Sequence, residues 1–325
     1  MHGMSEVTLA DGVRLRVDVS GPADAALTVV LLHGWCLDRR TWHRQVAALP
    51  AGVGDLPVRV VTYDARGHGR SGSTRLHAAT LAQLGEVLAE LLRQVAPDGP
   101  VVLVGHSMGG MAIMEYADRR PEEFAARIAG LVFVATTAEG HTHTRYGLPP
   151  QLARFMRAAE TAGAGVLARC GAWHPHRALL PALRPGLRWL LFGEACDQAD
   201  LRLTVSSVGR ASLRSIGGFR ESIGAQHRLR TLGALGDVPA AVLVGDRDRL
   251  TPPPCAESIA GALPGTDLTV CRGAGHMLML ERPDEVTAAL AAVVRRAAAS
   301  TPGERAARQD RARRLEVRDG YEQAA

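Results

Sequence analysis

A mostly parallel α/β sheet with helices on its faces is what this 325-residue sequence predicts, and three observations carry the prediction. Short apolar runs over 27–32, 58–63, 101–104 and 131–134 are separated by segments of helical spacing, the pattern of buried parallel strands joined by crossover helices. Gly105-His106-Ser107-Met108-Gly109 stands between one such run and a helix-forming stretch, where small residues allow a sharp turn that lifts the serine hydroxyl off the sheet. The alternation lapses between about 139 and 236 and then resumes. A helical insertion within one sheet domain accounts for that.

Val13 to Val19 alternates with period two and reads as an antiparallel edge strand. Leu81, Leu84, Val87, Leu88, Leu91, Leu92 and Val95 share one helical face, and Pro97-Asp98-Gly99-Pro100 closes that helix ahead of the serine-bearing strand. Inside the insertion, Pro149, Pro150, Pro175, Pro181 and Pro185 are expected to cut the chain into short helices rich in Leu, Ala and Arg. A strand over Ala240–Val244, a helix after Pro254, a strand over Asp267–Val270 and a helix over Pro283–Arg296 complete the sheet domain. The boundaries are thus 1–138 and 237–299 for the two parts of the core and 139–236 for the insertion. The remainder, 300–325, has no apolar stripe and reads as a flexible tail.

Composition excludes several classes of function. A hydrophobic content of 46% fits a globular chain. No stretch approaches the roughly 18 to 20 uninterrupted apolar residues of a spanning helix, and no basic-then-apolar leader opens the sequence. A cytoplasmic protein with no membrane span is expected. The five cysteines, Cys36, Cys170, Cys196, Cys255 and Cys271, contain no C-x-x-C pair, which predicts reduced thiols and excludes zinc-finger spacing. All 38 basic residues are arginine, so neither Schiff-base chemistry nor a Ser-Lys dyad has a residue to use. No nucleic-acid motif accompanies the net charge of +5. That charge is unevenly placed, because residues 139–236 hold 13 arginines against 6 acidic residues.

A serine nucleophile needs a base to take its proton and a carboxylate to orient that base. Asp246 and Asp248 follow one predicted strand, and His276, in Gly273-Ala274-Gly275-His276, follows the next. In a parallel sheet the carboxyl ends of these strands share one rim with Ser107. Sequence alone leaves both aspartates open for the carboxylate role. His141 with His143, and His174 with His176, form H-x-H pairs, but neither has acids or cysteines at ligand spacing, so no metal site is expected.

With the Ser107 turn, His33-Gly34-Trp35, Asp64-Ala65-Arg66-Gly67-His68-Gly69-Arg70-Ser71, Asp246 to Pro252 and Gly275-His276, the chain resembles the α/β-hydrolase superfamily from Val13 to about Arg296. The resemblance implies a mostly parallel eight-stranded sheet with a helical cap at 139–236. It implies that Ser107 is the nucleophile, His276 the base and Asp248 the orienting carboxylate, with the backbone N–H groups of Trp35 and Met108 as the oxyanion hole and no cofactor or metal. His33 is read as a brace for the oxyanion loop and His106 as a packing residue. Asp64 and Arg66 are read as structural. Cys36 stands where many similar sequences carry proline. His33, Trp35, Cys36, Phe155, Trp173 and Phe192 are candidates for lining the substrate pocket.

The activity implied is cleavage of a small or medium hydrophobic carboxylic ester, with perhydrolysis as a side reaction of the same acyl-enzyme. Relatives that dehalogenate alkanes or open epoxides carry aspartate at the nucleophile position and are set aside, as Ser107 cannot follow their alkyl-enzyme route. Two alternatives are a thioesterase or acyltransferase working on an acyl group linked to acyl carrier protein or coenzyme A, drawn to the arginine-rich insertion, and a non-catalytic receptor on the same fold.

Overall fold

The computed structural model describes residues 3–300. The tail expected over 300–325 therefore falls, after Ser300, outside the described residues. Eight strands form one sheet: β1 (Gly3–Thr8), β2 (Arg14–Ser20), β3 (Leu27–Leu32), β4 (Val58–Tyr63), β5 (Val101–His106), β6 (Ile128–Val134), β7 (Ala240–Gly245) and β8 (Asp267–Cys271). Twelve α-helices accompany them: α1 (His43–Val53), α2 (Leu81–Val95), α3 (Met108–Arg119), α4 (Pro121–Arg127), α5 (Pro150–Arg169), α6 (Leu180–Leu191), α7 (Gln198–Val208), α8 (Leu213–Ala225), α9 (Leu229–Ala234), α10 (Pro253–Ala262), α11 (Leu278–Glu281) and α12 (Pro283–Ala299). No helix among the described residues is long and apolar enough to cross a membrane.

The sheet order is β1-β2-β4-β3-β5-β6-β7-β8. β1 and β2 run antiparallel to their neighbours and the remaining pairs are parallel. β2 is therefore not the edge strand that its alternation suggests. β1 pairs along its whole length and takes the edge. The sequence Gly3-Met4-Ser5-Glu6-Val7-Thr8 hides it, being too polar for an apolar run. Strands β3, β5, β6 and β7 are buried from end to end because helices cover both faces. Apolar residues of α2 and α3 pack on one face and those of α1 and α12 on the other.

Consecutive strands β3 and β4 lie on one side of a reversal in this order, and the chain continues from β5 on the other. The loops leaving β3 and β5 diverge at that point and open a crevice at the carboxyl rim of the sheet, where open α/β folds bind ligands. Both the Gly34 loop and Ser107 are there.

Helices α5 to α9 occupy the chain between β6 and β7. Proline breaks this region less than expected, since α5 runs for 20 residues. Pro150 and Pro181 sit in the first turns of α5 and α6, where their missing N–H groups have no intrahelical partner to lose. Pro185 lies inside α6, which continues through it. The insertion is tied to the core by Ser212 N–H donating to Gly67 O at 3.0 Å and by Leu81 N–H donating to Ser222 Oγ at 2.8 Å.

Candidate active site

Ser107 links β5 to α3 with φ 50° and ψ −118°, a backbone state that costs a non-glycine residue on the order of 1–3 kcal/mol. The surroundings impose it. A Cβ at Gly105 would lie 2.4 Å from Gly110 N, and one at Gly109 would lie 2.5 Å from Leu32 O, so only glycine lets helix and strand approach this closely. Ser107 N–H donates to Val134 O at 3.0 Å, and Ser107 O accepts from Thr136 Oγ1 at 2.7 Å. From residue 101 to 117, Ser107 alone retains partial exposure. Met108 N–H opens α3, where unpaired amides and the helix dipole favour negative charge.

His276 is 3% exposed and its Nδ1 lies 2.8 Å from Asp248 Oδ2. Asp248 also accepts from Leu250 N–H at 2.8 Å, Thr251 N–H at 2.9 Å and Thr251 Oγ1 at 2.9 Å. So many donors suit a carboxylate, so the ring proton belongs on His276 Nδ1 and the lone pair on Nε2. Asp246 is exposed and accepts from Gly273 N–H at 2.7 Å. It pins the turn that leads toward His276 and does not meet the imidazole.

The loop after β3 is pressed against the elbow, because a Cβ on Gly34 would come within 2.6 Å of His106 Nδ1 and 3.2 Å of Ser107 Cβ. Trp35 follows directly, and its indole Nε1–H donates to Ser215 O of α8 at 3.3 Å. His33 braces the loop from behind: Nδ1–H donates to Gly34 O at 2.8 Å and Nε2 accepts from Ala65 N–H at 2.9 Å. His106 Nε2–H donates to His276 O at 2.9 Å, joining the elbow to the backbone of the candidate base. Asp64 accepts from Arg39 NH1 and from Arg70 N–H, each at 2.8 Å, which fixes the loop after β4.

A family model described as the alpha/beta hydrolase family matches residues 29–289. The chain belongs to that family. The pimeloyl-[acyl-carrier protein] methyl ester esterase of Aromatoleum aromaticum is 29% identical over 274 residues, which cover 82% of this chain and 98% of that protein. The monoacylglycerol lipase of Mycolicibacterium smegmatis is 37% identical over 121 residues, but the match spans only 36% of this chain and 42% of the lipase. Among solved structures, an esterase from Exiguobacterium antarcticum superposes with a TM-score of 0.73 at 20% identity, covering 90% of this chain and 99% of that one. At that identity the likeness concerns the fold alone.

Among the expected pocket residues, Trp35 and Cys36 are partly exposed on the loop beside Ser107. Cys36 has φ 61°, and desolvation, with Glu160 adding to it, holds its thiol far above the ordinary range. His33 lies behind the loop as its brace. Phe155 and Trp173 of the insertion are 68% and 78% exposed, while Phe192 is 1% exposed and packed in the core. Apolar character marks these positions in the sequence but does not fix which way an inserted helix turns them. Of the two H-x-H pairs, the first is divided between other partners: His141 contacts Arg220, and His143 Nε2 lies 3.1 Å from Glu139 Oε2.

Two further residues shape the site. Thr251 donates from Oγ1 to Asp248, with His276 Nδ1 also within 3.3 Å. Glu281 accepts from Gly193 N–H at 2.7 Å and from Gly275 N–H at 3.0 Å, while His276 N–H donates to Leu191 O at 2.8 Å. The loop carrying His276 is thereby sewn to the end of α6. The one sequence signal for Glu281 is an acid closing the apolar run Met277–Leu280.

The buried histidines contribute to the response to acid. Desolvation pushes His68 down to about 3, with His33 adding to the effect, and lowers His33 and His106 as well. An unfolded histidine titrates near 6.5. Between pH 6.5 and about 3 the unfolded chain therefore binds the proton that folded His68 refuses, and stability present above pH 6.5 is lost as the pH falls. Going from pH 7 to pH 5, His68 alone is expected to remove about 2 kcal/mol. Urea midpoints of wild type and His68→Gln at both pH values test this. Equal drops in the two proteins would exclude His68 as the source.

Proposed function

We propose that this chain is a serine hydrolase acting on carboxylic esters of small or medium hydrophobic substrates. The observation that carries the reading is the Asp248–His276 Nδ1 contact of 2.8 Å on the same rim as a serine held in an elbow backbone. Ser107 Oγ attacks the ester carbonyl as His276 Nε2 takes its proton, forming the Oγ–C bond and placing negative charge on the carbonyl oxygen. The N–H groups of Trp35 and Met108 receive that oxyanion. Collapse breaks the C–O bond to the alcohol, which leaves with the proton from His276. Water then repeats the sequence on the acyl-enzyme, releasing the acid and restoring Ser107. No cofactor enters these steps.

Esterase and lipase activities named for the relatives support the same reaction class. A second reading, a carrier-linked acyl group as substrate, is favoured by the match to an esterase of an acyl-carrier-protein ester over 82% of this chain and by the arginine excess of 139–236. A fluorophosphonate probe is expected to label Ser107, and a panel of p-nitrophenyl esters, acyl-coenzyme A thioesters and acyl-carrier-protein esters is expected to favour the simple esters. Preference for the carrier-linked substrates would shift the assignment to the second reading. Absence of both labelling and turnover would leave only the receptor reading.

A further inference from the structure

Hydrolysis at Ser107 makes no use of two features of the insertion, its arginine excess and the pair His174 and His176, and the fold brings the two together. A cleft of about 470 Å³ lies where the joint between α7 and α8 meets the loop after β4, lined by Gly69, His174, Pro175, His176, Gly209 and Arg210. Arg210 comes from the insertion and lines the cleft, while the exposed Arg70, next to Gly69 on the core loop, lies at its margin, lines a neighbouring cleft and is near enough to Arg210 to repel it. The carboxylates in this neighbourhood are already engaged, Asp38 by Arg40 at 2.6 Å and Asp64 by Arg39 at 2.8 Å. Among the described residues, neither Arg70 nor Arg210 has a carboxylate within ion-pair distance. Desolvation, together with repulsion from Arg40 and Arg70, holds the Arg210 guanidinium below its ordinary value. His176 Nδ1 accepts from Ala178 N–H at 3.3 Å, which puts the ring proton on Nε2 as a free donor.

We propose that this cleft is a binding site for a phosphate-class anion, held between Arg70 on the core and Arg210 on the insertion with His174 and His176 completing the donor set. The Arg210 guanidinium fork and two imidazoles in the lining, with Arg70 at the margin, offer more donors than the two oxygens of one carboxylate engage, whereas a phosphate has three or four oxygens to receive them. The volume accommodates that group and part of a molecule carrying it. An anion here relieves the repulsion among the arginines and bridges core and insertion. It also sits two residues ahead of Ser212, whose N–H holds the Gly67 loop at 3.0 Å.

The phosphate can be inorganic or be borne by a substrate, and two arms of one experiment separate the sources. Titrating the full chain with inorganic phosphate by calorimetry is expected to show saturable 1:1 binding that weakens with added NaCl. Arg210→Gln and Arg70→Gln are each expected to weaken it about tenfold, the loss of one charge-assisted contact. In the second arm, KM is compared for a neutral acyl ester and one ending in a phosphate monoester. A lower KM for the phosphorylated ester, raised by Arg210→Gln, assigns the site to substrate recognition, and equal KM values alongside phosphate binding assign it to the free anion. No saturable binding, or binding indifferent to both substitutions, would overturn the proposal. The calorimetric arm does not depend on catalysis, so failure of the hydrolase reading is seen separately, as absent ester turnover. Arg70 lies outside the insertion, so its variant remains informative if Arg210→Gln disturbs the α7–α8 joint.

Discussion

Ser107→Ala is expected to lower ester turnover by on the order of 10⁶-fold, the loss seen when the nucleophile of a working triad is removed. The alanine keeps the elbow but has no oxygen to form the acyl-enzyme, so only the oxyanion donors and bound water remain, and fluorophosphonate labelling should vanish. Ser107→Gly separates chemistry from strain. Its turnover should fall equally, yet glycine adopts φ 50° and ψ −118° without a Cβ penalty, and stability should rise by about 1 kcal/mol. Turnover of a p-nitrophenyl ester and the urea midpoint, measured on all three proteins, check both parts. Near-normal turnover in either variant would remove Ser107 from the mechanism. A glycine variant no more stable than alanine would mean that the elbow stores no strain.

That pairing explains why the elbow could be read before any coordinates. Its signal is local: the turn requires glycine at 105 and 109 because Gly110 N and Leu32 O crowd those positions within 2.4 and 2.5 Å, so the constraint is written into five consecutive residues. The buried strands were equally plain, because a strand covered on both faces must be apolar throughout. β1 was not, since an edge strand can remain polar. The β2 alternation was real, but periodicity shows which residues face inward and not whether a neighbour lies beyond.

The insertion resisted reading for a different reason. Its helices are positioned by tertiary contacts such as Trp35 Nε1–H to Ser215 O, which leave no periodic trace. Hydrophobicity alone therefore does not tell that Phe155 and Trp173 stay exposed while Phe192 is buried. Glu281 was missed although it holds the loop of the candidate base, because one acid after an apolar run resembles any helix end. His174, His176 and Arg210 illustrate the same limit. Arg210 is more than 30 positions from the two histidines, and the three line one cleft only when α6 and α7 fold back beside the loop after β4.

The choice between the two aspartates was a matter of side-chain direction, and Asp248→Asn should show its chemical consequence. The carboxylate accepts from His276 Nδ1–H, from Leu250 and Thr251 N–H and from Thr251 Oγ1. An asparagine NH₂ turned toward the ring would meet that N–H donor and favour the opposite tautomer, leaving Nε2 protonated and unable to take the Ser107 proton. The expected fall in kcat is on the order of 10⁴-fold, with KM little changed because the carboxylate does not touch substrate. Asp246→Asn is the matched control. Its remaining carbonyl oxygen can still accept from Gly273 N–H, the bond now 2.7 Å long, so turnover should stay within about threefold of wild type, as surface changes away from such features seldom exceed half a kcal/mol. Steady-state kinetics on the two variants decide the matter, and a reversed pattern would transfer the orienting role to Asp246. If both substitutions were harmless, His276 would need no carboxylate, and the hydrogen-bonded cluster around Asp248 would serve only to close the loop after β7.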